Sequence, residues 1–422
     1  MDRHESRIRF CVILLHYIAL PNRPIRLSLN TSKETVVLRR VALIIETSRS
    51  YGRDLLSGVK RYAAEQASWS MFVELRDLES EPPPWLRNWD GDGILTRSGN
   101  PAIERAVTQV GVPTVELRSS RLAKRFPFVG VDNHAVGKLA ASHFLELGYE
   151  HFGIYRLDTE QFFIDRRNSF VDHLRAAGFA CEEFHQSGAT EKPSQWERQQ
   201  ARLCQWIQQL PKPAAILACT DQLGCWLLDA CRRADVRVPE QIAVVGVEND
   251  ETLTTISTPT LSSVQLDGHR IGYQASRLLD RMMSGGKPRT TPLLVPPIGV
   301  VTRQSSDIVA TSDPLLAAAI RFIRQHACEG IRIANVLEAV PLSRSQLERG
   351  CRELLQRSPN QEINRIRIQA AKELLRDTEL SIEGIAERSG FTTQQYFVQL
   401  FKKHCGMTAT AYRRSIREPM TQ

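Results

Sequence analysis

The nine cysteines of this 422-residue chain include no C-x-x-C pair, and neither an H-E-x-x-H pair nor a G-x-x-x-x-G-K-[ST] loop occurs. The usual sequence patterns for structural zinc, metallohydrolysis and phosphate-cradling loops are therefore missing. Cys219, Cys225 and Cys231 recur every six residues, a spacing poor for ligands on one helical face and normal for small buried hydrophobes. An odd cysteine count without obvious pairing fits a reducing compartment, so a cytoplasmic location is expected. The apolar run Phe10–Leu20 has eleven residues, too few to span a bilayer, and lacks a small-residue cleavage site. These absences point away from an enzyme, a cofactor or metal, and a membrane partner.

Charge of one sign is also scarce where the chain is longest. The net charge is +8, yet residues 39–312 hold 32 Lys and Arg against 32 Asp and Glu, a balance of zero. Residues 313–422 carry 17 against 12, or +5, and residues 1–38 carry the remaining +3. A basic C-terminal excess suits phosphate neutralisation on nucleic acid, although basic surface is often only a solvated face.

The C-terminal segment carries a specific pattern. Ile382, Ile385, Ala386 and Ser389 form one helical stripe behind the cap residue Ser381, and Gly390 ends that helix in a turn. A second helix is expected from near Thr392, with Phe397, Leu400 and Phe401 inward. That leaves Thr393, Gln394, Gln395 and Gln399 outward, with Lys402 and Lys403 behind them. A Gln amide matches the donor and acceptor pair of adenine in the major groove, and lysines suit phosphates. Taken alone, a plain amphipathic hairpin has the same appearance.

Upstream the design repeats. Ile331–Ala339 precedes Ser343, which caps a helix with Leu347, Cys351, Leu354 and Leu355 inward and Arg344, Ser345, Glu348, Arg349 and Arg352 outward. Between the two units, residues 362–376 are expected to be helical, and Asp313-Pro314 suits the start of an earlier helix. With Ser358-Pro359, Arg367, Ala371, Leu374-Leu375, Gly390-Phe391, Phe397, Phe401-Lys402, Gly406 and Tyr412-Arg413, residues 313–417 resemble the DNA-binding domain of the AraC/XylS family. Cys351, Gln356 and Ala409 depart from that family's usual Phe, Gly and Pro. Looser packing of the first unit is the expected consequence.

Residues 39–310 alternate short apolar runs with helical stretches: Val41–Ile45, Met71–Leu75, Gly93–Thr96, Pro113–Leu117, Phe152–Tyr155, Ala214–Ala218 and Ile242–Gly246. Apolar strands alternating with helices imply parallel sheets covered on both faces, with ligands outside the carboxyl ends of the strands. The residues there are polar: Ser48, Tyr51, Arg53, Thr96, Arg97, Asp132, Asn133, Thr220, Asp221, Glu248 and Asn249. Each singly reads as a helix cap or a loop charge. Together, with an aromatic such as Tyr51 or Trp226, they suit a small polyhydroxylated ligand.

The same region resembles the sugar-sensing domain of LacI-family repressors, itself similar to type 1 periplasmic binding proteins. The resemblance runs through Val131-Asp132-Asn133, Gly137, His143, Leu147-Gly148, Ala214–Asp221, Val238-Pro239, Val244–Gly246, Pro259–Leu261 and Gly272-Tyr273. It places Asp132, Arg166, Asp221 and Glu248 at effector-contacting positions, with Glu248 and Thr220 departing from the usual Asp and Asn. The implied fold is a two-lobed α/β periplasmic-binding-protein-like domain, then an all-α domain with two helix-turn-helix units. Residues 1–38 read as a poorly ordered tail. A LacI-like sensor followed by an AraC-type domain resembles the xylose-responsive regulators, a likeness carried by Thr220-Asp221 and Gly246–Leu253. It implies D-xylose as effector, duplex operator DNA and RNA polymerase as partners, and a homodimer. Another sugar or small metabolite, or a solute-binding transport role, are the alternatives.

Overall fold

The computed structural model describes residues 38–78, 80–97, 101–118, 125–157, 159–186, 193–307 and 313–417. The tail expected over residues 1–38, with its apolar run, lies outside them except for Leu38.

The first lobe opens with β1 (Arg39–Ile44), α1 (Ser50–Gln66), β2 (Trp69–Val73), β3 (Gly93–Thr96), α2 (Pro101–Val110), β4 (Thr114–Glu116) and β5 (Val129–Val131). Its parallel sheet has the order β2-β1-β3-β4, with Val41 opposite both Met71 and Gly93. The unbroken apolarity of β1 has a geometric cause. Val41 and Leu43 face one core, whereas Ala42 and Ile44 face another that contains Leu86, Ile103 and Val107. Alternation therefore buries both faces of the strand.

The second lobe follows with α3 (Asn133–Glu146), β6 (His151–Leu157), α4 (Gln161–Ala176), β7 (Cys181–Gln186), α5 (Pro193–Gln209), β8 (Ala214–Ala218), α6 (Asp221–Arg233), β9 (Ile242–Glu248), α7 (Glu251–Ile256) and β10 (Ser262–Gln265). The chain returns to the first lobe for α8 (Gly268–Met283) and β11 (Leu293–Val295), which pairs with β5, then adds β12 (Gly299–Val301) antiparallel to β10. The second sheet runs β12-β10-β9-β8-β6-β7. Passages at 131–133, 265–268 and 295–299 link the lobes. Helix α8 lies against α1 so closely that a Cβ on Gly272 would come within 2.0 Å of the Leu55 carbonyl. Only glycine permits that crossing.

The expectation that every apolar strand is covered fails at β2. It is an edge strand, and Met71, Phe72 and Val73 stay 39, 42 and 49% exposed. Only a short 3-10 helix, Pro84–Asn88, reaches it among the described residues, with Trp85 meeting Phe72 edge to face at 4.7 Å.

The C-terminal region is all helical: α9 (Pro314–His326), α10 (Ile333–Ala339), α11 (Arg344–Leu355), α12 (Pro359–Asp377), α13 (Ile382–Arg388), α14 (Gln394–Cys405) and α15 (Ala409–Arg417). Asp313, Ser343, Ser358, Ser381 and Thr393 each accept a backbone N–H at a helix start. Two cores form, and α12 belongs to both. Ile363 packs with Ile320, Leu347 and Cys351, while Ile368, Ala371 and Leu375 pack with Phe397 and Phe401. Between them Arg367 donates to the carbonyls of Ala327 and Ile331 and lies over the Phe391 ring. One guanidinium thus ties the two units together.

The family departures have visible consequences. Cys351 is fully buried in the first core, and Ala409 is buried in the second. Gln356 holds the left-handed cap of α11 at φ 56°, which costs a non-glycine residue about 1–2 kcal/mol. Gln356→Gly is expected to raise stability by about 1 kcal/mol in urea unfolding. No gain would mean that the Gln356 side chain, which donates to the Glu353 carbonyl, offsets the strain.

Beneath the first unit, Glu362 is completely buried. It receives Arg365 through two bonds of 2.9 and 2.8 Å and Arg357 at 3.1 Å, and Arg324 approaches to 3.6 Å. Burial alone would raise the Glu362 carboxyl; the Arg365 hydrogen bond and the three cationic charges reverse this and hold it at about 2. Arg365 also reaches Glu146 at the end of α3, at 3.3 Å. Beside it, Gly148 at φ +84° faces Leu354, whose Cδ1 would stand 2.7 Å from an added Cβ. Here the sensor's second lobe meets the helical domain.

Candidate functional site

Polar side chains gather where the carboxyl ends of the two sheets face each other. From the first lobe come Glu46, Tyr51, Thr96 and Arg97, all buried or nearly so. Glu46 stands two residues past β1 and pairs with Arg97 through Oε1, leaving buried Oε2 without a hydrogen bond among the described residues. The Arg97 guanidinium lies 4.9 Å from the Tyr51 ring centre. Burial opposes the charge of Arg97, and the Glu46 carboxylate outweighs it, so the group is pushed up. The Tyr51 hydroxyl, the Thr96 hydroxyl and Arg97 Nε are likewise buried with no hydrogen-bond partner among the described residues. Burial pushes the Tyr51 hydroxyl up, so it stays a neutral donor.

From the second lobe comes Arg166, 3% exposed. Its Nε donates to Asn133 Oδ1 at 2.9 Å, its Nη1 donates to the Cys219 carbonyl, and its guanidinium lies over the Phe162 ring at 4.8 Å. No hydrogen bond of Nη2 occurs among the described residues. Glu248 adjoins Tyr51 and Arg166 closely enough to shift both. It sits at φ 118° and Asn249 at φ 56°, a strained pair at the end of β9. Asn249 is held from both sides, its N–H donating to Ser263 and its side-chain oxygen accepting Arg303 at 2.8 Å.

Asp221 opens α6 at 0% exposure. One carboxyl oxygen accepts the Asp250 N–H at 2.7 Å and the other accepts the Ser263 hydroxyl. Burial raises its pKa from 3.8 to about 7. A raised carboxyl means that the folded protein holds a proton the unfolded chain releases. Stability from this group is complete below pH 3.8 and lost as pH rises through about 7. Asp221→Asn, which keeps an acceptor for Asp250 and a polar contact for Ser263, should flatten the stability profile between about pH 4 and 7. An unchanged slope in urea titrations would move the effect to another group.

The other expected cleft residues lie differently. Asp132 is the N-cap of α3, its carboxylate accepting the Ala135 N–H at 2.9 Å. Arg53 is exposed on α1 and donates to the Thr47 carbonyl, outside the buried cluster. Among the described residues, Ser50 donates to Asp250 at 2.8 Å and Arg118 to Glu160 at 2.6 Å, bridging the lobes at the rim. Neither pair is readable from sequence. Glu46 is legible in sequence, since it stands just past the apolar run Val41–Ile45 as the other polar residues stand past theirs.

In the helical domain α11 exposes Arg344, Ser345, Arg349 and Arg352, with Glu348 half-buried. Helix α14 exposes Gln394, Gln395, Gln399, Lys402 and Lys403, while Thr393 serves as its cap, accepting the Tyr396 N–H at 3.3 Å. The two helices thus present cations and amides on their solvent faces, backed by Leu347 and Phe397.

Comparison with known proteins agrees with this anatomy. Residues 40–134 match a XylR N-terminal domain, residues 141–306 a periplasmic binding protein-like domain and residues 336–415 a helix-turn-helix domain. The xylose operon regulatory protein of Haemophilus influenzae is 32% identical over 382 residues, which cover 89% of this chain and 98% of the relative. That of Escherichia coli K12 is 32% identical over 387 residues, covering 89% and 96%. Among solved structures, a xylose-binding transcription activator xylR aligns with TM-score 0.58 and 31% identity, over 90% of this chain and 99% of the other. The CelR–cellobiose complex, at 20% identity, shares the sensor fold alone. Two helices with polar outer faces, buried polar side chains between the lobes and near full-length similarity have one reading: the chain belongs to the family of xylose operon regulatory proteins, DNA-binding transcription regulators with a periplasmic-binding-protein-like sensor.

Proposed function

We propose that the protein is a D-xylose-dependent transcription activator acting in the cytoplasm as a homodimer on operator DNA and contacting RNA polymerase. The observation that carries the ligand is the set of unpartnered buried donors and acceptors on Glu46, Tyr51, Thr96 and Arg97, facing Arg166 and Glu248 across the lobes. Donors and acceptors of both kinds around one small space suit vicinal hydroxyls. In this reading Tyr51, Arg97 and Arg166 donate to the sugar, Glu248 accepts, and Asp132, Asp221 and Asn249 hold their neighbours in place. Arg53 stays at the exposed rim. Sugar held by both lobes favours the closed arrangement, by no more than its differential affinity for the two states, about 1–3 kcal/mol.

On DNA, Gln394, Gln395 and Gln399 read base edges, with Arg344, Arg349 and Arg352 reading guanine or phosphate. Ser345, Glu348 and Thr393 tune the fit, and Lys402 and Lys403 neutralise phosphates. Successive major-groove segments about 34 Å apart accommodate the paired units. Gln395→Ala is expected to cost about 1–3 kcal/mol at one operator base and relax the preference there, whereas Lys403→Ala weakens all sequences alike. Equal loss on every sequence for Gln395→Ala would turn its role into backbone contact.

The deciding experiment is calorimetric titration of the full chain with D-xylose, L-arabinose, D-ribose and D-glucose. Saturable binding of xylose, with operator affinity changed in its presence, supports the proposal. Binding of another sugar instead would reassign the effector, and binding of none, with operator binding intact, would remove the sugar from the mechanism.

A further inference from the structure

A second concavity lies in the first lobe, where α8 ends and the chain turns toward β11. Its volume is about 520 Å³, and its wall is a stripe of α8, Gln274, Arg277 and Arg281, faced by Lys287 and Arg289 of the following loop. Among the described residues no carboxylate lines it. That segregation stands out in a sensor whose charges otherwise balance at 32 against 32 over residues 39–312. Gln274 adds a second observation. It is 6% exposed and lines the cavity, so a polar carboxamide stands in the wall beside the cations. The helix end itself does not repel an anion strongly, because the carbonyls of Asp280, Arg281 and Met282 are taken by Ser284, Gly286 and Gly285.

We propose that this cavity binds a phosphate monoester of a small metabolite. Guanidinium forks match phosphate oxygens in pairs, a lysine supplies a further point charge, and the Gln274 amide is placed for the organic part of the ester. The volume falls in the range of small-molecule sites. Duplex DNA presents a convex row of phosphates, which a concave cavity of this kind does not follow. The site is separate from the sugar cleft: α8 passes Tyr51 and Asp54 at Gly268, and Arg281 lies thirteen residues on, about 20 Å along the axis.

The test titrates the full-length protein with D-ribose 5-phosphate, inorganic phosphate and, as the uncharged control, D-ribose, at fixed ionic strength. The expected result is saturable one-to-one binding of ribose 5-phosphate, weaker binding of inorganic phosphate and none of ribose through this site. Arg281→Glu with Lys287→Glu should weaken phosphate-ester binding by about tenfold or more. Gln274→Leu should narrow the gap between ribose 5-phosphate and inorganic phosphate, and both variants should keep the wild-type response to D-xylose and the wild-type melting temperature. Absence of saturable binding by either phosphate compound overturns the proposal, as does binding indifferent to these substitutions. A loss of operator affinity in the charge-reversed variant, with no phosphate-ester binding in the wild type, would make the cavity wall a DNA contact instead.

Discussion

Replacing Glu362 with alanine is expected to destabilise the C-terminal domain by about 3–5 kcal/mol, the usual result of stranding buried cations. Arg324, Arg357 and Arg365 all converge on this one carboxylate, which has no solvent exposure. Arg324 is largely buried, and its Nε and Nη2 already lack hydrogen bonds among the described residues, so losing the carboxylate strands it further. The effect should reach DNA, because Ile363, one residue on, belongs to the core that backs α11. Urea unfolding of the full chain should show an early transition for this variant, with operator affinity lost in parallel and D-xylose binding retained. The same carboxylate sets an acid limit. Its pKa falls from 4.5 in the unfolded chain to about 2 when folded, so its contribution is complete above pH 4.5 and disappears as pH falls through about 2. A loss below about 1 kcal/mol would show that the three arginines repack around a chloride or water at little cost.

Arg166→Ala should raise the dissociation constant for D-xylose by a hundredfold or more, about 3 kcal/mol for a charge-assisted donor lost from a buried site. The residue acts twice. Nη2 is the group left to donate to a hydroxyl, and Nε and Nη1 fix Asn133 and the Cys219 carbonyl at the floor of the cleft. Arg166→Lys separates the two functions, since an ammonium supplies charge without a planar fork. It should recover only a small part of the affinity. Operator binding without sugar should stay near wild type for both variants. If xylose affinity is unaltered by Arg166→Ala while the fold persists, the sugar sits elsewhere and the cleft assignment fails.

Much of this was legible beforehand where one local rule decides. Val41–Ile44, Ala214–Ala218 and Ile242–Val247 are buried on both faces and so read as apolar runs. Ser343 and Ser381 announce helix starts because a cap is a contact within three residues, whereas Thr393, expected on an outward face, proves to be the cap of α14. What stayed hidden depends on distant partners. Strand β10 reads Ser-Ser-Val-Gln, and Ser262 and Ser263 are fully buried only because Arg303 and Asp221 satisfy their hydroxyls from some forty residues away. Strand β7, Cys-Glu-Glu-Phe-His-Gln, is an edge with a largely wet face. Glu362 reads as an ordinary acidic residue in a helix's first turn. Nothing within its own helix shows that Arg324 and Arg357 will close over it.

The contact between α3 and the helical domain bears on how such regulators can be recombined. Glu146 and Gly148 belong to the sensor, Arg365 and Leu354 to the DNA-binding domain, and each pair fits only as a pair. A chimera cut in the segment 308–312 would divide the chain cleanly in sequence but split both pairs in space. A grafted sensor with any side chain at position 148 would press on Leu354, and one without an acid at 146 would leave Arg365 to Glu362 alone. A new sensor joined to this DNA-binding domain therefore has to supply an acid at 146 and a glycine at 148 for Arg365 and Leu354, or it will report its sugar to a partner it does not touch.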